Sequence, residues 1–419
     1  MPSIHSTSMS FRLKKILIVT GFIVVVVGIG YLLYITFFRG PVAPPTTSPT
    51  ITDEQPGALP GSGTAGERPV LEIPGVDDEE PGLPTPAPVA TGGLTQVTEL
   101  TLTAVTDPQL SGDGRTLSFY DPNDGRFYTV DADGNIVPIL PTAFPDAESV
   151  KWSPDTSKAI VEFPDGANVS VNLQTGETVT LPSHWEEFQF APNGTDQIIA
   201  KSIGTDPGNR WLMIAQSDGS GAQTIAALGN NADKVDINWS PNDQVVAFSD
   251  TGALVSGFGR KQILPIGKNQ ENFPGLVVEG FSFESEWSPD GGQILYSTNG
   301  PSNNYLPQIW LVDGTSQTLG DNRRSLALNT WADKCTYSDA STAYCAVPKQ
   351  LPAGAGLQRS LAFGEPDLLY RIDTNTGAAI PVADPENAVS MTNLQVSDDG
   401  SILYYQDART GTLQQMRLR

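Results

Sequence analysis

The chain has 419 residues, 47 Asp and Glu against 24 Lys and Arg, and a formal net charge of −23. That length accommodates two or three ordinary domains, or one large all-β domain with appendages. The acid surplus repels phosphate backbones and anionic head groups and argues against nucleic acid as a partner. Two Cys and two His, widely scattered, exclude a four-ligand zinc site of the usual spacing and leave little for nucleophile–histidine chemistry. No metal and no cofactor is expected.

The charge is uneven along the chain. Residues 1–40 carry +4, residues 41–95 carry −7 and the remainder carries −20. After a short tail, residues 1–15, which holds Arg12, Lys14 and Lys15, residues 16–38 form 23 uncharged and mostly apolar positions. As a helix this run is roughly 35 Å long, enough to cross a hydrocarbon core with some tilt. Tyr31 and Tyr34 lie towards its far end, where interfacial aromatics are favoured. The run predicts one transmembrane helix, and the preceding basic cluster predicts a cytoplasmic N-terminus, with Arg39 a single opposing charge. A cleaved secretory signal is the alternative. Its apolar core would be only about 7–15 residues long and would end at small residues, whereas Ile35-Thr36-Phe37-Phe38 stands here. Either reading exports the rest of the chain. The expected location is the cell membrane, single-pass, with the C-terminal part outside the cytoplasm.

Residues 39–95 are rich in Pro, Thr, Gly and acid, as in Pro81-Gly82-Leu83-Pro84-Thr85-Pro86. Such a stretch cannot bury enough apolar surface to offset chain entropy. Proline extends it and Asp77-Asp78-Glu79-Glu80 swells it, so it reads as a disordered linker serving as a stalk.

From residue 96 a phrase recurs: a strand ending in a large apolar residue, a Ser-Pro-Asp-Gly-like turn, then a second apolar strand. The fullest copies are Trp152-Ser153-Pro154-Asp155, Trp239-Ser240-Pro241-Asn242 and Trp287-Ser288-Pro289-Asp290-Gly291. Looser copies centre on Ser111, Ala191, Ser338 and Ser397, and the successive spacings are 42, 38, 49, 48, 50 and 59 residues. Pro presets φ, Asp or Asn caps the turn, and Gly accepts a positive φ. The large residue is placed to pack between neighbouring blades. Strands of four to eight residues between such turns, with no long helical periodicity, read as all-β.

Trp-Ser-Pro-Asp-Gly, an aliphatic–aromatic strand, and then Ile309-Trp310-Leu311-Val312-Asp313 resemble the WD-repeat-like blades of TolB-type proteins. The resemblance covers about residues 96–419 and implies a β-propeller. It says almost nothing about activity, because propellers host many. The last repeat supplies only three strands, and a ring must pair its ends. The segment Val97 to Thr103, ahead of the first turn, is therefore expected to complete the last blade. The count is then seven, with six the alternative because the copy around Ser338 lacks both Pro and Gly.

Cys335 and Cys345 flank the hairpin of the sixth repeat. In an oxidising compartment they point to a disulfide, with two buried free thiols the alternative. Asp131-Ala132-Asp133-Gly134-Asn135 resembles the opening of a calcium loop but lacks the downstream bidentate Glu. Long connections, among them residues 203–209, 268–279, 299–307, 321–324 and 348–366, are expected on one face, where they suggest recognition. Candidate ligand- or partner-binding residues there are Tyr305, Arg323, Arg324, Trp331 and Arg359. The arginines stand out in so acidic a chain, and the aromatics suit stacking. No Gly-x-Ser-x-Gly elbow is present, and no catalytic residue is assigned. The leading reading is a membrane-anchored, non-catalytic module that binds an extracytoplasmic protein or glycan. The alternative is a propeller-type lyase or hydrolase acting on carbohydrate through carboxylates, Arg or Tyr at the central channel.

Overall fold

The computed structural model describes residues 25–29, 31 and 85–419, residue 258 apart. Residues 25–29 and 31 are helical. The remainder of the expected membrane span at 16–38, and most of the expected linker, lie outside the described residues. Among the described residues no helix is long and apolar enough to cross a membrane. The chain divides into two units, Met1–Asp78 and Glu79–Arg419, and the second is the subject from here on.

It consists of seven antiparallel sheets of four strands each, one of them extended by a fifth. The innermost strands, in chain order, are Thr106–Leu110, Ser149–Trp152, Trp185–Phe190, Val235–Ile237, Phe281–Trp287, Cys335–Asp339 and Met391–Val396. Together they make a seven-bladed β-propeller. The second strands of the blades are near-continuously buried, as in Gln197–Ile203, Val245–Ser249 and Gln293–Asn299, because both faces of each sheet pack against neighbours. The core is accordingly split into seven clusters, one at each contact between successive blades. The cluster of Leu100, Leu117, Tyr404 and Leu413 joins the last blade to the first.

Closure is by strand pairing between the two ends of the domain. Thr98–Glu99 pairs with Leu413–Arg417 as the outer strand of blade seven. Sequence reasoning missed the strand just before it: Leu94–Thr95 runs parallel to Ala378–Pro385 on the edge of blade six. Part of the segment read as linker is thus ordered, with Ala87 bridging to Thr95.

The recurring phrase works as its chemistry requires. In blade five the Ser288 hydroxyl donates to Asp290 Oδ1 at 2.7 Å, and that oxygen also accepts the Gly292 N–H at 2.9 Å. The same Ser-to-acid or Ser-to-amide bond recurs at Ser153–Asp155, Ser240–Asn242 and Ser397–Asp399, each at 2.7 Å. Gly291 sits at φ +68°, the left-handed position such a turn needs. The tryptophans preceding the turn tie blades together: Trp152 Nε1 donates to Asp107 O in blade one, and Trp287 Nε1 donates to Asn238 O in blade four.

Turns joining strands one to two and three to four lie on one end of the ring, the hairpin face. Connections from strand two to three and from blade to blade lie on the other, the crossover face. This corrects two sequence-based assignments. Residues 268–275 join strands three and four of blade four, because Arg260–Gly267 is its third strand and Leu276–Glu279 its fourth. Residues 321–323 likewise precede a two-residue fourth strand, Arg324–Ser325, in blade five. Both segments therefore belong to the hairpin face, apart from the other long loops. A fourth strand of two residues has no periodicity to betray it.

Candidate functional site

The crossover face carries the long loops of blades three, five and six. The blade-six loop, between Thr342–Pro348 and Asp367–Asp373, is the longest. Its backbone is bound to the blade-five loop: Gly356 N donates to Tyr305 O and Gly354 N to Asn304 O, at 2.8 and 2.9 Å. Asn299 Nδ2 donates to Gly356 O at 2.8 Å. A Cβ at residue 356 would stand 2.5 Å from Asn299 Cβ and 2.7 Å from Tyr305 O, so only glycine permits this approach. Beneath the loop, Ala355, Ala362, Leu306 and Leu351 pack around Trp331, which is 4% exposed.

Arg359 completes the anchor. Its guanidinium lies 4.9 Å from the centre of the Trp331 ring and donates to both oxygens of Asp333, at 2.9 and 2.7 Å. Glu284 lies 3.9 Å away. The loop is thus a braced platform, pinned by stacking, two charge-assisted bonds and main-chain pairing. Its outward side is apolar: Leu357, Leu361 and Phe363 are 58%, 46% and 70% exposed.

Tyr305, Trp331 and Arg359 are therefore brought together. Trp331 is an internal prop and not an open stacking surface. Arg323 and Arg324 are elsewhere, on the hairpin face, and the positive spot expected from the three arginines does not form. Arg323 spans blades four and five, donating to Glu279 Oε1 at 3.0 Å and lying 5.1 Å from the Trp310 ring. Arg324 donates to the carbonyls of Thr374 and Asn375 in blade six. Both are struts, because a guanidinium next to a sheet edge meets free carbonyls before it meets a ligand.

The channel behind the platform holds what linear reasoning missed. Asp107, Gln109, Lys151, Gln189, Glu286 and Asn393, from five blades, line a cavity of about 500 Å³. Towards the crossover face Glu284, Asp333 and Asp236 follow. Glu286 is exposed to the cavity, yet protein surrounds it on every side. That confinement, with Asp333 nearby, pushes its carboxyl up to about 7. Glu284 is pushed up to about 7 by burial and by Asp333 and Asp236, against the pull of Arg359. Burial raises Asp236 as well, with Lys201 opposing. Glu284 and Glu286 alternate along one inner strand and share a side of it, a pairing visible in Phe283-Glu284-Ser285-Glu286 only once that strand is known to face the axis. Deeper, Lys334 donates to both oxygens of Asp367 at 2.8 and 2.7 Å, and the pair is almost wholly buried.

Cys335 and Cys345 face each other across the first hairpin of blade six and are joined by a disulfide. The calcium-like segment is a self-contained turn, since Asp131 accepts the backbone N–H groups of Asp133 and Asn135 and the Asn135 amide. Among the described residues no three His, Cys, Asp or Glu are grouped to hold a metal.

The seven sheets, closed by Thr98–Glu99, decide the fold. The chain is a seven-bladed β-propeller. No sequence family matches it, and no curated protein does. Solved propellers do. An oligogalacturonate lyase in complex with manganese superposes with a TM-score of 0.55 at 16% identity, covering 77% of this chain and 93% of that one. The oligogalacturonate lyase from Vibrio parahaemolyticus gives 0.53 at 14%, with 77% and 93% covered. The β-propeller domain of Cps50 (Swd1) from Myceliophteria thermophila gives 0.51 at 11%, with 77% and 100% covered. At these identities the likeness concerns the fold alone.

Proposed function

We propose that this protein is a membrane-anchored, extracytoplasmic interaction module that binds a protein partner through the crossover face, with the blade-six platform as the anchor. The observation that carries the reading is the outward set Leu357, Leu361 and Phe363 on a loop whose other side is braced from below. Three large apolar side chains exposed within seven residues are costly to hydrate and are characteristic of docking surfaces. A pre-ordered loop loses little entropy on binding. The apolar run at 16–38, the acidic stalk and the cross-strand disulfide support the membrane-anchored, oxidising setting.

The test is capture of partners by the full chain after reversible cross-linking in its native membrane, compared with the L357S/L361S/F363S variant. These side chains are at the surface, so stability should stay within about 0.5 kcal/mol. Loss of a discrete partner from the variant supports the reading. Equal recovery of that partner by both removes the platform from it.

One observation favours a second reading, a lyase or hydrolase acting on carbohydrate. Two channel carboxyls held near 7 are suited to general acid–base work. Polysaccharide cleavage by the full chain, abolished in both E284Q and E286Q, would support it. Absence of cleavage by the unaltered chain would discard it.

A further inference from the structure

The platform is one end of a longer apolar arc. Phe281, the first residue of the inner strand of blade five, is 50% exposed. Asn299 Nδ2 donates to both Gly356 O and Phe281 O, at 2.8 and 3.4 Å, so the start of that strand adjoins the platform loop. Leu254, 84% exposed, follows on the crossover loop of blade four. It bridges to Lys261, whose Nζ lies 5.9 Å from the centre of the Phe281 ring. Leu254, Phe281, Leu357, Leu361 and Phe363 therefore run along the crossover face from blade four to blade six.

On the axis side of this arc negative charge is in surplus. Arg359 has two carboxylates within reach, Asp333 at 2.7 Å and Glu284 at 3.9 Å. One guanidinium cannot neutralise both, and Glu284 Oε2 accepts no hydrogen bond. Asp236 and Glu186 stand at the crossover ends of the inner strands of blades four and three. Both are exposed, and neither carboxylate has an ion pair or hydrogen bond among the described residues. Two further cations of this face are already engaged: Lys201 pairs with Glu187 and Lys261 with Asp250, each at 2.5 Å.

We propose that the crossover face takes a basic amphipathic protein segment, its apolar side chains on the arc and a Lys or Arg turned toward the axis, against Glu284 and Asp236. This rests on the protein-binding reading of the platform and adds the chemistry of what binds. Charge complementarity argues for it. An acidic segment of equal apolarity would meet like charges on the same face, and residues 96–419 as a whole carry −20. A field of that sign speeds encounter with a cationic partner and holds off anionic surfaces. The acids alone would attract any cation; the arc beside them selects one attached to apolar side chains.

The probe is a phage-displayed library of random peptides, selected on the full chain in phosphatidylcholine nanodiscs. Selection is at about pH 8, above the value of about 7 to which Glu284 is pushed. Enriched peptides are then synthesised and their affinities measured. They are expected to carry Lys or Arg beside apolar residues. Binding to D236N/E284Q should be about tenfold weaker, and binding to L357S/L361S/F363S should be lost. Melting curves verify the folding of each variant. Raising salt to about 0.5 M should weaken binding to the unaltered chain, a readout that needs no variant. Platform-dependent peptides with no basic bias, binding insensitive to salt, or unchanged binding to D236N/E284Q would overturn this inference and leave the platform reading standing. A library that yields no platform-dependent peptide would overturn both.

Discussion

At the scale of single residues, the molecule holds ionisable groups where solvent cannot fully reach them. Glu284 and Glu286 bind their protons more tightly in the fold than in the unfolded chain, where the ordinary value is 4.5. Their contribution to stability is complete below about pH 4.5 and is lost as pH rises through about 7. The melting temperature is expected to fall between about pH 5 and 8, and the E284Q/E286Q double variant should show a flatter profile over that window. An identical slope in both proteins would contradict the assignment. The Lys334–Asp367 pair behaves differently. Asp367 also accepts the Met391 N–H, so it joins blade six to blade seven. Replacing it by Ala strands a buried ammonium and should cost about 3–5 kcal/mol in urea unfolding. None of this was legible beforehand, because a carboxylate's depth in a channel is set by strands distant in sequence. The arginines illustrate the same limit. Their rarity drew notice to Arg323, Arg324 and Arg359, but rarity does not say which end of a blade a residue occupies.

Elements are where sequence reasoning succeeded and where its gaps have clear causes. The Ser-Pro-Asp turns were legible because each is a local hydrogen-bonded unit, and the tryptophan ahead of them sits between blades. The outer strand of blade five was not, because Arg324–Ser325 is only two residues long. The hairpin of blade six has neither the Pro nor the Gly of its counterparts, and the Cys335–Cys345 link restrains it instead. Chain-entropy reasoning for a short loop gives roughly 2–3 kcal/mol. Reduction with dithiothreitol, or C335S/C345S, is expected to lower unfolding free energy by about that amount. A change below about 0.5 kcal/mol would mean that the apolar packing of Tyr337 and Ala343 already fixes the hairpin.

For the whole molecule, closure of the ring governs everything else. Its legibility came from a count: the final repeat was one strand short, and a strand stood unassigned ahead of the first turn. The order that extends back to Ala87 was hidden by a Pro-rich composition shared with the stalk. Removal of residues 1–84 should leave the melting temperature within a few degrees. Removal of residues 1–103 strips an outer strand from blade seven and the parallel strand from blade six, exposing unpaired edges. Loss of cooperative unfolding is expected for the second truncation only, as followed by near-ultraviolet circular dichroism.

The proposed function asks the closed ring to hold one loop out as a recognition surface. The direct measurement is site-specific photo-cross-linking in the native membrane, with benzoylphenylalanine at Phe363 on the platform or at Val179 on the outer strand of blade two. Both positions are exposed. A discrete adduct from position 363 and none from position 179 is the expected result. Adducts from position 179 alone would contradict the account.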